Sequence, residues 1–152
     1  MSLQQRIHSD LTAAMKARDR QRVSALRMLV AEMKNAAVDA GGGPQGQLPD
    51  DVVEQLLQRE VKRRREAAQT YRDAGRQDRA VAEDAEADIY REYLPEPLGD
   101  EELRTLVDAA IAEVGADTSR DIGKVMGVVM PQVGTRADGA RVSTIVRSRL
   151  SG

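Results

Sequence analysis

The sequence predicts an all-helical protein, an N-terminal bundle of long helices followed by a small three-helix tail, and three observations carry that expectation. Apolar residues recur at intervals of three and four along nearly the whole chain, the spacing that lines one face of a helix. No stretch shows the alternation of period two that marks a half-buried strand. Prolines at 95 and 97 interrupt the pattern once, in the run YLPEPLG, and the apolar segments beyond them are shorter.

Taken in order, Leu3, Ile7, Leu11 and Met15 stand four apart and predict a first helix ending near Arg18. Asp19 has the side chain to cap a second, whose stripe is Val23, Leu26, Leu29, Val30, Met33 and Ala37. The glycine-rich AGGGPQGQ, residues 40–47, stops it. A long third helix starts at Pro49 or Asp50 with Val53, Leu57, Val61 and Ala68 on one side, and Gly75 is its expected C-cap. A fourth runs from about Arg79 to Tyr93. These residues, 1–94, form the expected N-terminal domain, 95–99 a Pro-containing hinge, and 100–152 the tail. Within the tail, Leu103, Leu106, Val107, Ala110, Ile111 and Val114 predict one helix closed by Gly115. Thr118 and Asp121 have capping-box spacing for the next, which contains GKVMGVVMP and is expected to end at Pro131. Asp138 caps the last, carrying Val142, Ile145, Val146 and Leu150.

Composition narrows the chemistry. Without cysteine there are no disulfides, thiol nucleophiles or Cys-ligated zinc. With three tyrosines and no Phe or Trp, the chain lacks the exposed rings on which single-strand readers stack bases, whereas recognition of a duplex through its phosphates needs none. The formal net charge of −2 gives no global attraction to nucleic acid, so local clusters must supply it. No apolar run is long enough to cross a bilayer, and the expected location is the cytoplasm. Neither a cofactor nor a metal is expected.

The pair Gly123–Lys124 suggests a phosphate loop, but that motif needs Gly where Thr118 stands, Ser or Thr where Val125 stands, and a preceding strand. Helix packing is the preferred reading, with Gly123 and Gly127 one turn apart admitting a neighbouring helix at close range. His8, the single histidine, is expected to face solvent; its neighbours Ser9 and Asp10 point in other directions on a helix and cannot form a relay. Two basic regions remain. Residues 59–79 hold eight Lys or Arg against four acids, including KRRR at 62–65, and residues 116–152 hold six against three. Either is a phosphate surface or a solvated face.

Four segments in register, AAMKARDRQRVSALRMLVAEMKNA, EVKRRREAAQTYRDAGRQD, EYLPEPLGDEEL and GKVMGVVMPQVGTRADGARV, resemble the YqeY family from about Leu3 to Leu150. The resemblance implies an all-helical bundle with a helical tail, and kinship with the C-terminal region of GatB, the amidotransferase subunit whose tail reaches tRNA while catalysis lies elsewhere. It places the tail motif on Gly123, Lys124, Gly127, Met130, Pro131, Gly134, Arg136, Ala137, Asp138 and Gly139. Pro49 and Gly99 stand where the family usually has Ser, and Pro49 is expected to shift its helix start by a residue. The function implied is that of a non-catalytic, tRNA-associated module, accessory to glutamine-dependent amidation of misacylated tRNA, with Lys124, Arg136 and Arg141 as phosphate contacts and Lys62, Arg63, Arg64 and Arg65 ranked after them. Structural roles fall to Gly123, Gly127, Pro131, Gly134, Asp138 and Gly139. The alternatives are an adaptor docking on an aminoacyl-tRNA synthetase or on amidotransferase subunits without binding RNA, and carbon–nitrogen ligase activity exercised only within a complex.

Overall fold

The computed structural model describes residues 1–151 and is all-α: seven α-helices and two short 3-10 turns, with no strand among the described residues. The chain divides into two compact units, Met1–Leu94 and Pro95–Gly152.

The first unit comprises α1 (Leu3–Ala17), α2 (Arg20–Asp39), α3 (Asp50–Asp73) and α4 (Gln77–Arg91). Ser2 and Gln5 form a capping box at the start of α1, satisfying two of the backbone N–H groups a helix start leaves open. Asp19 accepts from the Arg22 N–H at 3.1 Å to begin α2. Pro49 caps α3 without a side-chain bond, so α3 starts at Asp50, with Asp50 and Asp51 set against its dipole. Between α1 and α2 the chain turns at Arg18, which alone among the non-glycine residues has a positive φ, 56°. The core is built from Ile7, Leu26, Leu29, Met33, Val53, Leu57 and Tyr90. Tyr90 is fully buried and its hydroxyl donates to the Ala25 carbonyl at 2.8 Å; burial pushes its pKa up to about 12. Tyr93 lies in the turn after α4 and donates to Asp10 Oδ2 at 2.5 Å, while Arg22 reaches both Tyr93 Oη and Glu92. That knot ties α1 and α2 to the end of α4.

The second unit is a strap, residues 95–99, followed by α5 (Asp100–Val114), α6 (Ile122–Val133) and α7 (Gly139–Leu150). Its core is dominated by valine: Val107, Val125, Val129, Val133, Val142 and Val146 join Leu98 and Leu103. The strap is packed into this unit. Leu98 is buried and its N–H donates to the Arg136 carbonyl at 2.8 Å.

Several boundaries and faces depart from the sequence-based expectation. α4 begins at Gln77 and ends at Arg91, so Tyr93 serves the turn and not the helix. Met15 is exposed because steps of four drift around the helix, and at that level Ala14, in line with Ile7, takes the buried face. α6 continues through Pro131 to Val133. Pro131 is exposed, so the Gly127 carbonyl, which loses the N–H four residues on, faces water and need not be buried unpaired. Gly134 then ends α6 at φ 54°, ψ −126°, a backbone conformation open chiefly to glycine.

Candidate nucleic-acid interface

The three tail cations expected to act together are placed in two different settings. Arg136 Nε donates to the Glu96 carbonyl at 2.9 Å, and Arg141 Nη1 donates to the Leu98 carbonyl at 2.8 Å while Nη2 pairs with Asp100. Both guanidinium groups therefore clamp the strap, whose extended backbone has no helix to satisfy its carbonyls. The Arg141 hydrogen bond holds the Asp100 carboxyl below its ordinary pKa. Lys124 stands in the first turn of α6, with about 14 Å of helix between it and the turn that holds Arg136. Its side chain is 73% exposed, with Asp121 Oδ1 at 3.8 Å as a loose partner. Asp121 in turn accepts from the N–H groups of Asp117 and Thr118, which hold its carboxyl below its ordinary pKa. The expected capping box thus closes over the 3-10 turn 119–121, just ahead of α6.

Gly123 and Gly127 do not admit another helix. A methyl group built on either would meet nothing within 4 Å, and both positions are exposed. The packing expectation is overturned: the valines at 125, 129 and 133 turn inward, and the glycines, together with Pro131, line the opposite, open face of α6. Gly139 is likewise not crowded, its nearest prospective neighbour being the Met130 methyl at 3.8 Å. Asp138 caps α7 by accepting from the Ala140 N–H at 2.9 Å.

Two members of the KRRR run on α3, Arg64 and Arg65, are turned toward α4. Arg64 lies within 3.3 Å of Glu83 Oε2 by Nη1 and of Glu86 Oε2 by Nε, and 3.8 Å from Glu60 Oε2; the Nε approach has ion-pair distance without hydrogen-bond alignment. Burial pushes the Glu86 carboxyl above its ordinary pKa against the pull of Arg64. Arg65 bonds Asp88 at 2.7 Å and Asp84 at 3.0 Å, and Arg72 also pairs with Asp84. Arg63 bonds Glu60 at 3.1 Å, which leaves Lys62 as the member of the run with no ion pair among the described residues.

A cationic cluster that sequence reasoning passed over stands at the turn between α1 and α2. Lys16, Arg18, Arg20 and Arg27 are all exposed and none forms an ion pair among the described residues. The signal was in the chain: residues 16–27 hold five basic side chains and one acid, Asp19, a denser excess than either region weighed. His8 is exposed on α1. No group of three His, Asp or Glu side chains able to hold a metal occurs among the described residues, nor is any helix there long and apolar enough to cross a membrane.

Comparison with known proteins places this architecture. The family model described as Yqey-like protein matches residues 4–150. Among curated proteins, the "Altered inheritance of mitochondria protein 41, mitochondrial" of Pyrenophora tritici-repentis is 28% identical over 134 residues, covering 87% of this chain and 71% of that protein.

Proposed function

The chain belongs to the family of YqeY-like proteins, and on that premise we propose that it is a non-catalytic, tRNA-associated helical module whose tail meets RNA through the open face of α6. The observation that carries this reading is the pair Gly123 and Gly127. Gly127, inside the helix, costs about 1 kcal/mol relative to alanine, and at neither Gly123 nor Gly127 does a neighbour in the chain need the space. A partner from outside does. A bare helix face lets a phosphodiester backbone approach the main chain closely, with Lys124 and the exposed Arg120 beside it to engage phosphates. The Gly127 carbonyl, left open by Pro131, is an acceptor suited to a ribose 2′-hydroxyl. Arg136 and Arg141 support this surface by holding the strap and are not its leading contacts. On the resemblance to the tRNA-reaching tail of GatB, amidation of misacylated tRNA is the process in which we propose the module to be an accessory.

Fluorescence anisotropy with labelled tRNA tests this. Lys124→Ala should flatten the dependence of log Kd on log salt by roughly 0.7 to 0.9 units, the value of one phosphate contact. Gly123→Leu with Gly127→Leu should weaken binding to every tRNA species alike without lowering Tm. If the leucine variant binds tRNA like the unmodified protein, the tail reading is wrong; if it instead loses a protein partner in a nuclease-treated pull-down, the adaptor reading replaces it.

A further inference from the structure

We propose that the corner between α1 and α2 is a second phosphate-contacting surface, in which Lys16, Arg18, Arg20 and Arg27 engage the backbone of a folded nucleic acid. That the corner takes an anion rests on its own chemistry; that the anion is nucleic acid rests on the proposed association with tRNA.

Helix electrostatics explain only half of the cluster. Lys16 and Arg18 stand at the C-terminal end of α1, where a cation complements the dipole. Arg20 opens α2, whose first turn contains no acidic residue, so it faces the positive end of a helix dipole with two further guanidinium groups close by. The one acid in the corner, Asp19, is engaged by the Arg22 N–H. No acidic side chain among the described residues forms an ion pair with these cations. Arg18 adds a second sign: at φ 56° glycine fits with less strain than any L-residue, yet the position carries a cation.

The shape identifies the kind of anion. Arg18, Arg20 and Arg27 border a broad cleft of about 750 Å³ over Met15 and Val23, where Met15 is 43% exposed and Val23 is half-buried. Such a cleft does not envelop a small ligand, whose sites are concave and close over most of it. An acidic amphipathic peptide needs a continuous apolar strip along a groove, and the apolar lining of this cleft is Met15 and Val23. A phosphodiester backbone needs only spaced cations. No tyrosine lies in the cleft, so contact there is with phosphates and independent of base sequence.

The test measures anisotropy of the full chain with a labelled RNA duplex two helical turns long, across a salt series. Arg18→Gly/Arg20→Ala/Arg27→Ala should flatten the slope of log Kd against log salt by roughly 2 to 3 units. Arg59→Ala/Lys62→Ala/Arg79→Ala removes the same charge from exposed, unpaired positions elsewhere and should change it far less. Arg18→Gly alone, which relieves backbone strain, should keep or raise Tm and still lower the slope by roughly 0.9, so the inference stands or falls even if the triple variant folds poorly. Equal effects of the two triple variants would overturn it. If the corner variant binds normally while Lys124→Ala is impaired, this inference fails and the tail reading survives; the converse result sinks the tail and keeps the corner. Absence of duplex binding by the unmodified protein at low salt, or corner-dependent binding of an acidic helical peptide in its place, rejects the nucleic-acid assignment.

Discussion

The two units of this protein use arginine for the same internal purpose by different means. In the first, Arg64 and Arg65 on α3 are neutralised by carboxylates on α4. In the second, Arg136 and Arg141 are taken up mainly by the carbonyls of an extended strap. In each, the segment with the most conspicuous run or motif of basic residues is the one that holds the fold together. Exposed cations with no ion pair among the described residues stand elsewhere, among them Arg59, Lys62 and Arg79, and Arg120 beside the loosely paired Lys124; Lys16, Arg18, Arg20 and Arg27 gather at one corner, where Arg27 has only the Met15 thioether at 3.6 Å. A phosphate surface is therefore sought by subtracting internal partners from the basic residues and asking which of the remainder cluster, and not by counting charge along the chain.

The contrast between structural and free arginines is broken most directly by substitution. Arg64→Ala leaves Glu83 and Glu86 without their arginine partner, beside Glu60, which keeps Arg63 at 3.1 Å. Uncompensated charge of that kind should destabilise the first unit by about 2 to 3 kcal/mol, less than a fully enclosed pair because Arg64 is partly exposed. Arg141→Ala removes a charge-assisted bond to the Leu98 carbonyl together with the exposed pair to Asp100 and should cost about 1 to 2 kcal/mol. Urea denaturation with hydrogen exchange resolved by unit checks both, and comparable losses from Arg20→Ala would erase the distinction between the two kinds of arginine.

A smaller effect of opposite sign is expected on α6. Gly127→Ala should raise tail stability by up to about 1 kcal/mol, because an added methyl meets nothing and gains helix propensity. A fall in Tm would mean that the glycine face is covered after all.

The least pronounced difference concerns acid. In the tail, Asp100 and Asp121 have folded-state pKa values below the ordinary 3.8, so their contribution is complete above about 3.8 and is lost as pH falls through the depressed values. In the first unit, Asp84 behaves the same way, but Glu86 is raised by burial: its ionised form is penalised in the folded state, and that penalty is relieved as pH drops through its folded pKa. The two contributions oppose each other there. Hydrogen exchange between about pH 6 and about pH 3 should show protection falling more in residues 100–150 than in α3 and α4. A steeper fall in α3 and α4 would mean that loss of the Asp84 pairs outweighs the relief at Glu86, against this expectation.

The sequence by itself determined the class of fold, seven helices and their order, because helix periodicity and the caps at Asp19, Gly115 and Asp138 are local properties that a short window of chain contains in full. Its departures are small: α6 runs two residues past an exposed Pro131, and α4 stops before Tyr93, whose hydroxyl is held by the distant Asp10 and Arg22. Only the tertiary structure decided what each side chain faces. Gly123 and Gly127 have the spacing of a packed helix face whether or not a helix lies there, and KRRR has the charge of a phosphate site whether or not α4 brings Asp84, Glu86 and Asp88 against it. Spacing fixes which residues share a face of one helix; the partner of that face is chosen by how distant segments pack, so the same pattern yields a clamp in one place and an open surface in another.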